Sequence, residues 1–215
     1  SGPDVWLNTS DIYDIDGATL TLANGSRKFS INLVTKSTTT SITAFVDTTD
    51  AVCTGNAAGS DVCLSQSPAA NTPTFKVYAS TATQLHVILP GEKIVEGKCD
   101  TLPSQVCQPL GGEKAGKTGT PSTFTITAAG GSFQTTVYLV DKFFNIASDK
   151  TGNVQDTNPI AVMPTVQVFM PRDTYPQPGV PSPDTLVNGQ LPFAVGARTA
   201  ISTYTVAAAT TAGSA

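Results

Sequence analysis

The residues best suited to chemistry fall in a few places along the 215-residue chain. Residues 111–118 read GGEKAGKT, which satisfies the G-x-x-x-x-G-K-[ST] phosphate-loop pattern. Such a loop needs a buried strand before it and a helix after it, because its amides and the helix N-terminus hold the phosphates together. Here Pro109 precedes it, and GTPSTFTIT follows, with Pro121 inside a β-forming run. That context predicts no nucleotide site and reads the glycines as linker residues. His86, the sole histidine, lies in QLHVIL, and no G-x-S-x-G elbow accompanies it, so it reads as a strand-face histidine rather than a catalytic base. Asp11, Asp14 and Asp16, followed by Gly17, are the best metal candidates: carboxylates two or three apart in a turn can wrap a hard cation such as calcium. The closing Glu of a calcium loop is missing, and solvated turn aspartates are the competing reading. Asp141 and Asn145 flank a tight bend, which predicts bonds to local backbone amides.

The four cysteines form two close pairs, Cys53 with Cys63 and Cys99 with Cys107, each in a stretch dominated by small and polar residues (VCTGNAAGSDVC and KCDTLPSQVC). Zinc would need C-x2-C spacing or several histidines. The pairs therefore predict two disulfides, each contributing roughly 2–3 kcal/mol by loop closure, and with them an oxidising, extracellular setting. Asn8-Thr9-Ser10 and Asn24-Gly25-Ser26 are glycosylation sequons. Trp6, Tyr78, Tyr138 and Phe169 offer ring faces to sugars, or pack in interfaces and core.

The elements that position these residues are short strands. Only 13% of residues are charged, and Thr, Ser, Ala, Gly and Pro dominate, while 40% hydrophobic content supplies a core. A net charge of −4 with no Lys/Arg cluster excludes the electrostatic footprint of a nucleic-acid binder or of a protein held on anionic lipid. No run of about 18 apolar residues is present, which predicts no membrane insertion. The opening SGPDVW has no charged region followed by an apolar one, which predicts a chain without an uncleaved signal peptide.

The chain repeats itself after about 164 residues. Val5-Trp6-Leu7 returns as Val168-Phe169-Met170, and Leu22-Ala23-Asn24-Gly25 as Leu186-Val187-Asn188-Gly189. Phe29 and Ile31 are answered by Phe193 and Val195, then Ser41-Ile42-Thr43 by Thr203-Tyr204-Thr205. Asn-Gly at both positions predicts a hairpin turn with positive φ angles. Period-two alternation predicts strands over residues 29–33, 42–46, 74–79, 85–89, 123–128, 133–140, 165–170, 192–197 and 201–208, with residues 35–41 as a turn. Runs of this length and spacing argue for an all-β chain of immunoglobulin-like β-sandwich repeats. The expected domains are 1–82, lacking its opening strands, and 83–215, lacking its closing strand and carrying insertions at residues 91–122 and 175–184.

The passages TVYLVDKFFNIAS, LHVILPGE and GKTGTPSTFTITAAGGSFQTTV resemble bacterial Ig-like tandem repeats of the invasin/intimin type and related surface proteins. The resemblance covers most of residues 83–215 and, through the internal repeat, residues 1–80. It implies stalks, adhesins, surface layers or filaments, and it brings no catalytic residues. The resulting expectation is a non-enzymatic extracellular structural protein at the cell surface, a fibre or filament subunit partnered head-to-tail by other copies of itself through strand addition. An adhesive module binding a glycan or host surface is the alternative.

Overall fold

The structure, a computed structural model, describes residues 2, 4–14, 19–46, 74–98, 115–122, 132–147, 162–171, 183–196 and 206–211. These are strands and connections with no helix, and every strand pairing is antiparallel. No helix among the described residues is long and apolar enough to cross a membrane. The chain divides into two compact units, Ser1–Val77 and Tyr78–Ala215.

The first unit contains β1 (Asp4–Thr9), β2 (Leu20–Thr21), β3 (Ser37–Thr40), β4 (Ile42–Val46) and β5 (Phe75–Val77). β1 is central, with β2 on one side and β4 on the other, in the register Trp6↔Phe45 and Leu7↔Ala44. β3 pairs with β5 across an irregularity between Ser37 and Thr40. Residues 37–40 thus correct the turn expected over residues 35–41. Three successive threonines are β-branched, and that preference for extended backbone holds once β5 supplies a partner.

The second unit contains β6 (Gln84–Ile88), β7 (Glu92–Ile94), β8 (Lys117–Gly119), β9 (Ser132–Val140), β10 (Thr165–Phe169), β11 (Asp184–Thr185), β12 (Gln190–Gly196) and β13 (Ala207–Thr210). β9 is the longest strand and runs between β12 and β6; a second sheet has the order β11-β10-β13. Both sheets feed one core: Val137 and Leu139 from β9, Val166 and Val168 from β10, Phe193 and Val195 from β12. β7 and β8 form a separate pair. Beyond it the chain departs at Lys98 and returns at Gly116, whose N–H bonds the Lys98 carbonyl at 2.7 Å while its own carbonyl accepts from Val95 N–H at 2.8 Å.

The repeat seen in the sequence is a repeat of topology. β10 stands between β11 and β13 as β1 stands between β2 and β4, and Phe169↔Ala207 matches Trp6↔Phe45. Both Asn-Gly pairs turn with positive φ, 51° and 76° at Asn24-Gly25, 50° and 73° at Asn188-Gly189. Each is closed by a two-residue bridge, Ala23↔Ser26 and Val187↔Gln190.

The two units part company after that turn. In the second unit the chain continues as β12 and pairs with β9 over seven residues. In the first unit residues 27–33 form no ladder with a described residue, and the single-residue bridge at Asn32 has no described partner. The strand expected over residues 29–33 keeps its alternation, with Phe29, Ile31 and Leu33 half-buried and Ser30 and Asn32 exposed. It lacks a neighbouring strand among the described residues. The expected strand 123–128 and residues 201–205 lie outside the described residues.

Candidate functional site

Two buried carboxylates organise the loops. Asp11 follows β1, and its Oδ2 accepts from Val34 N–H at 2.7 Å and Thr35 N–H at 2.8 Å. Its Oδ1 accepts from Thr35 Oγ1 at 2.6 Å and from Tyr13 N–H at 3.1 Å. Four donors satisfy both oxygens of a carboxylate only 7% exposed, as a buried polar group requires. Asp14 accepts from Thr9 Oγ1 at 2.6 Å. Asp16 lies outside the described residues. The structure therefore gives Asp11 and Asp14 separate hydroxyl and amide partners, and among the described residues no group of three or more His, Cys, Asp or Glu is placed to hold a metal ion.

Asp141, just past β9, does the same work in the second unit. Oδ1 accepts from Phe143 and Asn145 N–H at 2.8 and 2.9 Å, and Oδ2 from Asn145 Nδ2 at 3.0 Å and Ser80 N–H at 2.9 Å. The local amides were expected from the sequence; the bond to Ser80, 61 residues away, was not. The bend it makes sets Phe144 at φ 63°, buried, with its ring edge-on to His86 at 5.0 Å. Gly116 (φ 68°) lies so close to that ring that a Cβ would overlap it.

His86 is therefore a packing residue. Burial, with the Lys117 ammonium adding to it, lowers its pKa from 6.5 to about 4, and its Nε2 has no hydrogen-bond partner. Lys117 sits in β8 opposite Ile94 and bonds the buried Glu92 carboxylate at 3.1 Å; Glu92 also accepts from Leu89 N–H at 3.1 Å. The lysine of the phosphate-loop pattern is thus in an antiparallel strand, with a carboxylate where a phosphate would be. A hollow of about 410 Å³ beside Glu92 is lined by Ile88, Ile94, Gln134, Thr136 and Tyr138 among others. Its lining mixes apolar side chains with Glu92, Lys93, Gln134 and Thr136.

The aromatics belong to both units. Trp6 and Phe169 take the same place on their strands and are 37% and 39% exposed. Tyr78 is half-buried, and so is Tyr138, whose hydroxyl burial pushes up in pKa. Phe169 and Tyr138 leave their two sheets on the faces opposite to the shared core, so these two do not make one platform. Asn8 and Asn24 of the sequons are exposed. Cys53, Cys63, Cys99 and Cys107 lie outside the described residues.

What the site residues leave is a difference between two versions of one unit. Val168, Met170, Leu186, Phe193 and Val195 are all buried, at 0–5% exposure. Of their counterparts Val5, Leu7, Leu22, Phe29 and Ile31, only Val5 is buried, and the other four are half-buried. Gly189 is pressed against the Ala147 carbonyl and accepts from Leu139 N–H at 2.8 Å, whereas a Cβ at Gly25 would meet nothing within 4 Å. No sequence signal separates the two glycines, because both sit in the same dipeptide.

Comparison with protein-family models, with curated proteins and with solved structures returns no match.

Proposed function

We propose that this chain is a segment of an extracellular surface fibre built from immunoglobulin-like β-sandwich repeats, in which neighbouring repeats complete one another by strand addition. The observation that carries the reading is the matched set of core positions: five apolar positions are buried in the second unit, and four of their five counterparts in the first are only half-buried. A half-covered apolar face is a driving force for association, since fully burying one Val, Leu, Ile or Phe side chain contributes roughly 1.5–3 kcal/mol. Contacts that add a strand head-to-tail do not close on themselves and generate open filaments. The two sheets sharing a core in the second unit, and the Asn-Gly hairpin at the same place in both, support the sandwich repeat. No arrangement of acid, base and nucleophile has emerged from the described side chains, and the reading is accordingly structural. The separation of Tyr138 and Phe169 onto different sheet faces favours a fibre over a glycan-binding module, which would display its aromatics together on one face.

Electron microscopy of the purified chain over a concentration series tests this. Linear assemblies of uniform width, with growing protection of first-unit amides in hydrogen exchange, are expected. Monomers at all concentrations, with first-unit core amides as protected as those of the second unit, would refute it.

A further inference from the structure

We infer that Asn24 is a site of spontaneous covalent modification, deamidating through a cyclic imide to aspartate and isoaspartate, while Asn188, in the same dipeptide of the second unit, is held intact by the fold.

Asn-Gly is the dipeptide in which this reaction meets least hindrance, because glycine alone brings no Cβ beside the attacking nitrogen. The backbone nitrogen of the glycine gives up its proton and attacks Cγ of the asparagine. A Cγ–N bond forms, the Cγ–Nδ2 bond breaks, and ammonia leaves with the proton. Water then opens the five-membered imide. Cleavage at Cγ yields aspartate; cleavage at the main-chain carbonyl yields isoaspartate, whose backbone runs through the former side chain. The net change is one water taken up and one ammonia released.

The two asparagines start alike. Both are exposed, with φ of 51° and 50°. Both turns are closed by reciprocal backbone bonds, 3.1 Å between Ala23 and Ser26 and 3.0 Å between Val187 and Gln190. Their glycines differ. Ring closure needs the nitrogen set against Cγ in a near-attack arrangement, which the left-handed turn does not hold, so the Asn-Gly peptide must rotate and its glycine must move. Gly189 is buried; its carbonyl accepts from Leu139 N–H of β9 at 2.8 Å, and a Cβ there would overlap the Ala147 carbonyl. Moving it disturbs the central strand of a sheet. Gly25 is exposed, and a Cβ there would meet nothing within 4 Å. Its peptide rotates when the hairpin tip alone opens, and local openings of that kind cost far less than opening a sheet.

Asn24 also heads the sequon Asn24-Gly25-Ser26. Deamidation removes the amide nitrogen that would carry a glycan, so the two modifications exclude one another at this position.

The full chain, made in a host that adds no glycans and held dilute in mildly alkaline buffer, tests this. Peptide mapping by mass spectrometry, with fragmentation that separates aspartate from isoaspartate, follows both sites over time. Asn24 is expected to convert at least tenfold faster than Asn188, and the difference is expected to vanish when the chain is unfolded in urea. Gly25→Ala should slow conversion of Asn24 at least tenfold and leave the rate at Asn188 unchanged. Equal rates at the two sites in the folded chain, or faster conversion at Asn188, would overturn the inference. So would a difference that persists in urea, since its cause would then lie in the neighbouring residues and not in the fold. Asn24 left intact in the folded chain, with both sites converting in urea, would show the first turn held as firmly as the second and overturn it as well.

Discussion

Asp141 accepts the backbone N–H of Ser80 at 2.9 Å, joining the start of the second unit to the far end of its central strand. The same carboxylate holds three donors of its own bend, from Phe143 and Asn145. A buried acceptor with four donors is costly to remove, because each donor is left without water or partner. Asp141→Ala is expected to lower the stability of the second unit by about 3–5 kcal/mol, read as a shift of the urea midpoint. Asp11→Ala should act on the first unit alone. A change of under about 1 kcal/mol for Asp141→Ala would show that these bonds do not carry the bend.

Gly25→Ala and Gly189→Ala separate backbone strain from crowding. Both residues have φ between 70° and 80°, and an alanine in that region costs roughly 1–2 kcal/mol. Only at Gly189 does the new Cβ also overlap a carbonyl, that of Ala147. The Gly189 variant should therefore melt well below the Gly25 variant. Equal melting temperatures would contradict the close approach.

His86 predicts a pH dependence. Its pKa is lowered in the folded state from 6.5 to about 4, chiefly by burial, so between those values the unfolded chain binds the extra proton. Stability from this residue is complete above pH 6.5 and declines as the pH falls toward 4, by up to roughly 1.4 kcal/mol per pH unit. Measured from pH 6.5 to 5, above most carboxylate titration, His86→Leu should flatten the decline. An unchanged slope would show that His86 does not titrate in that window.

Magnesium-ATP should leave the melting temperature unchanged, because Lys117 is engaged by Glu92 in an antiparallel strand. Ligand that binds the native state must stabilise it. A saturable rise that Lys117→Ala removes would overturn this.

The all-β class, the paired Asn-Gly turns and the repeated topology were legible in the sequence because each rests on local signals: alternation, a turn dipeptide, and a period. The Asp141 bend was half legible. An Asp followed by amides two and four residues on is a local pattern, but Ser80 carries no mark that its N–H is spoken for. The partners of Asp11 are hidden in the sequence for the same reason. Three aspartates close together suggest a cation, and only the folded chain shows that Val34 and Thr35, more than 20 residues away, take its oxygens. The threonines of residues 37–40 look like a turn in the sequence because their partner, β5, is distant along the chain. Phe144 at positive φ has no signature either, since the strain is imposed by the Asp141 bonds around it.

The bonds between Lys98 and Gly116 have a consequence for how such a chain can change. Residues 98 and 116 meet at one hydrogen bond, so whatever joins them begins and ends at the same spot on the β7–β8 pair. Chain length between fixed, adjacent ends is nearly neutral: doubling it costs about 0.6 kcal/mol in closure entropy. The spot is thus a port through which segments of different size can be exchanged, by genetic insertion or by an engineer attaching a label, with the sheets beneath left as they are.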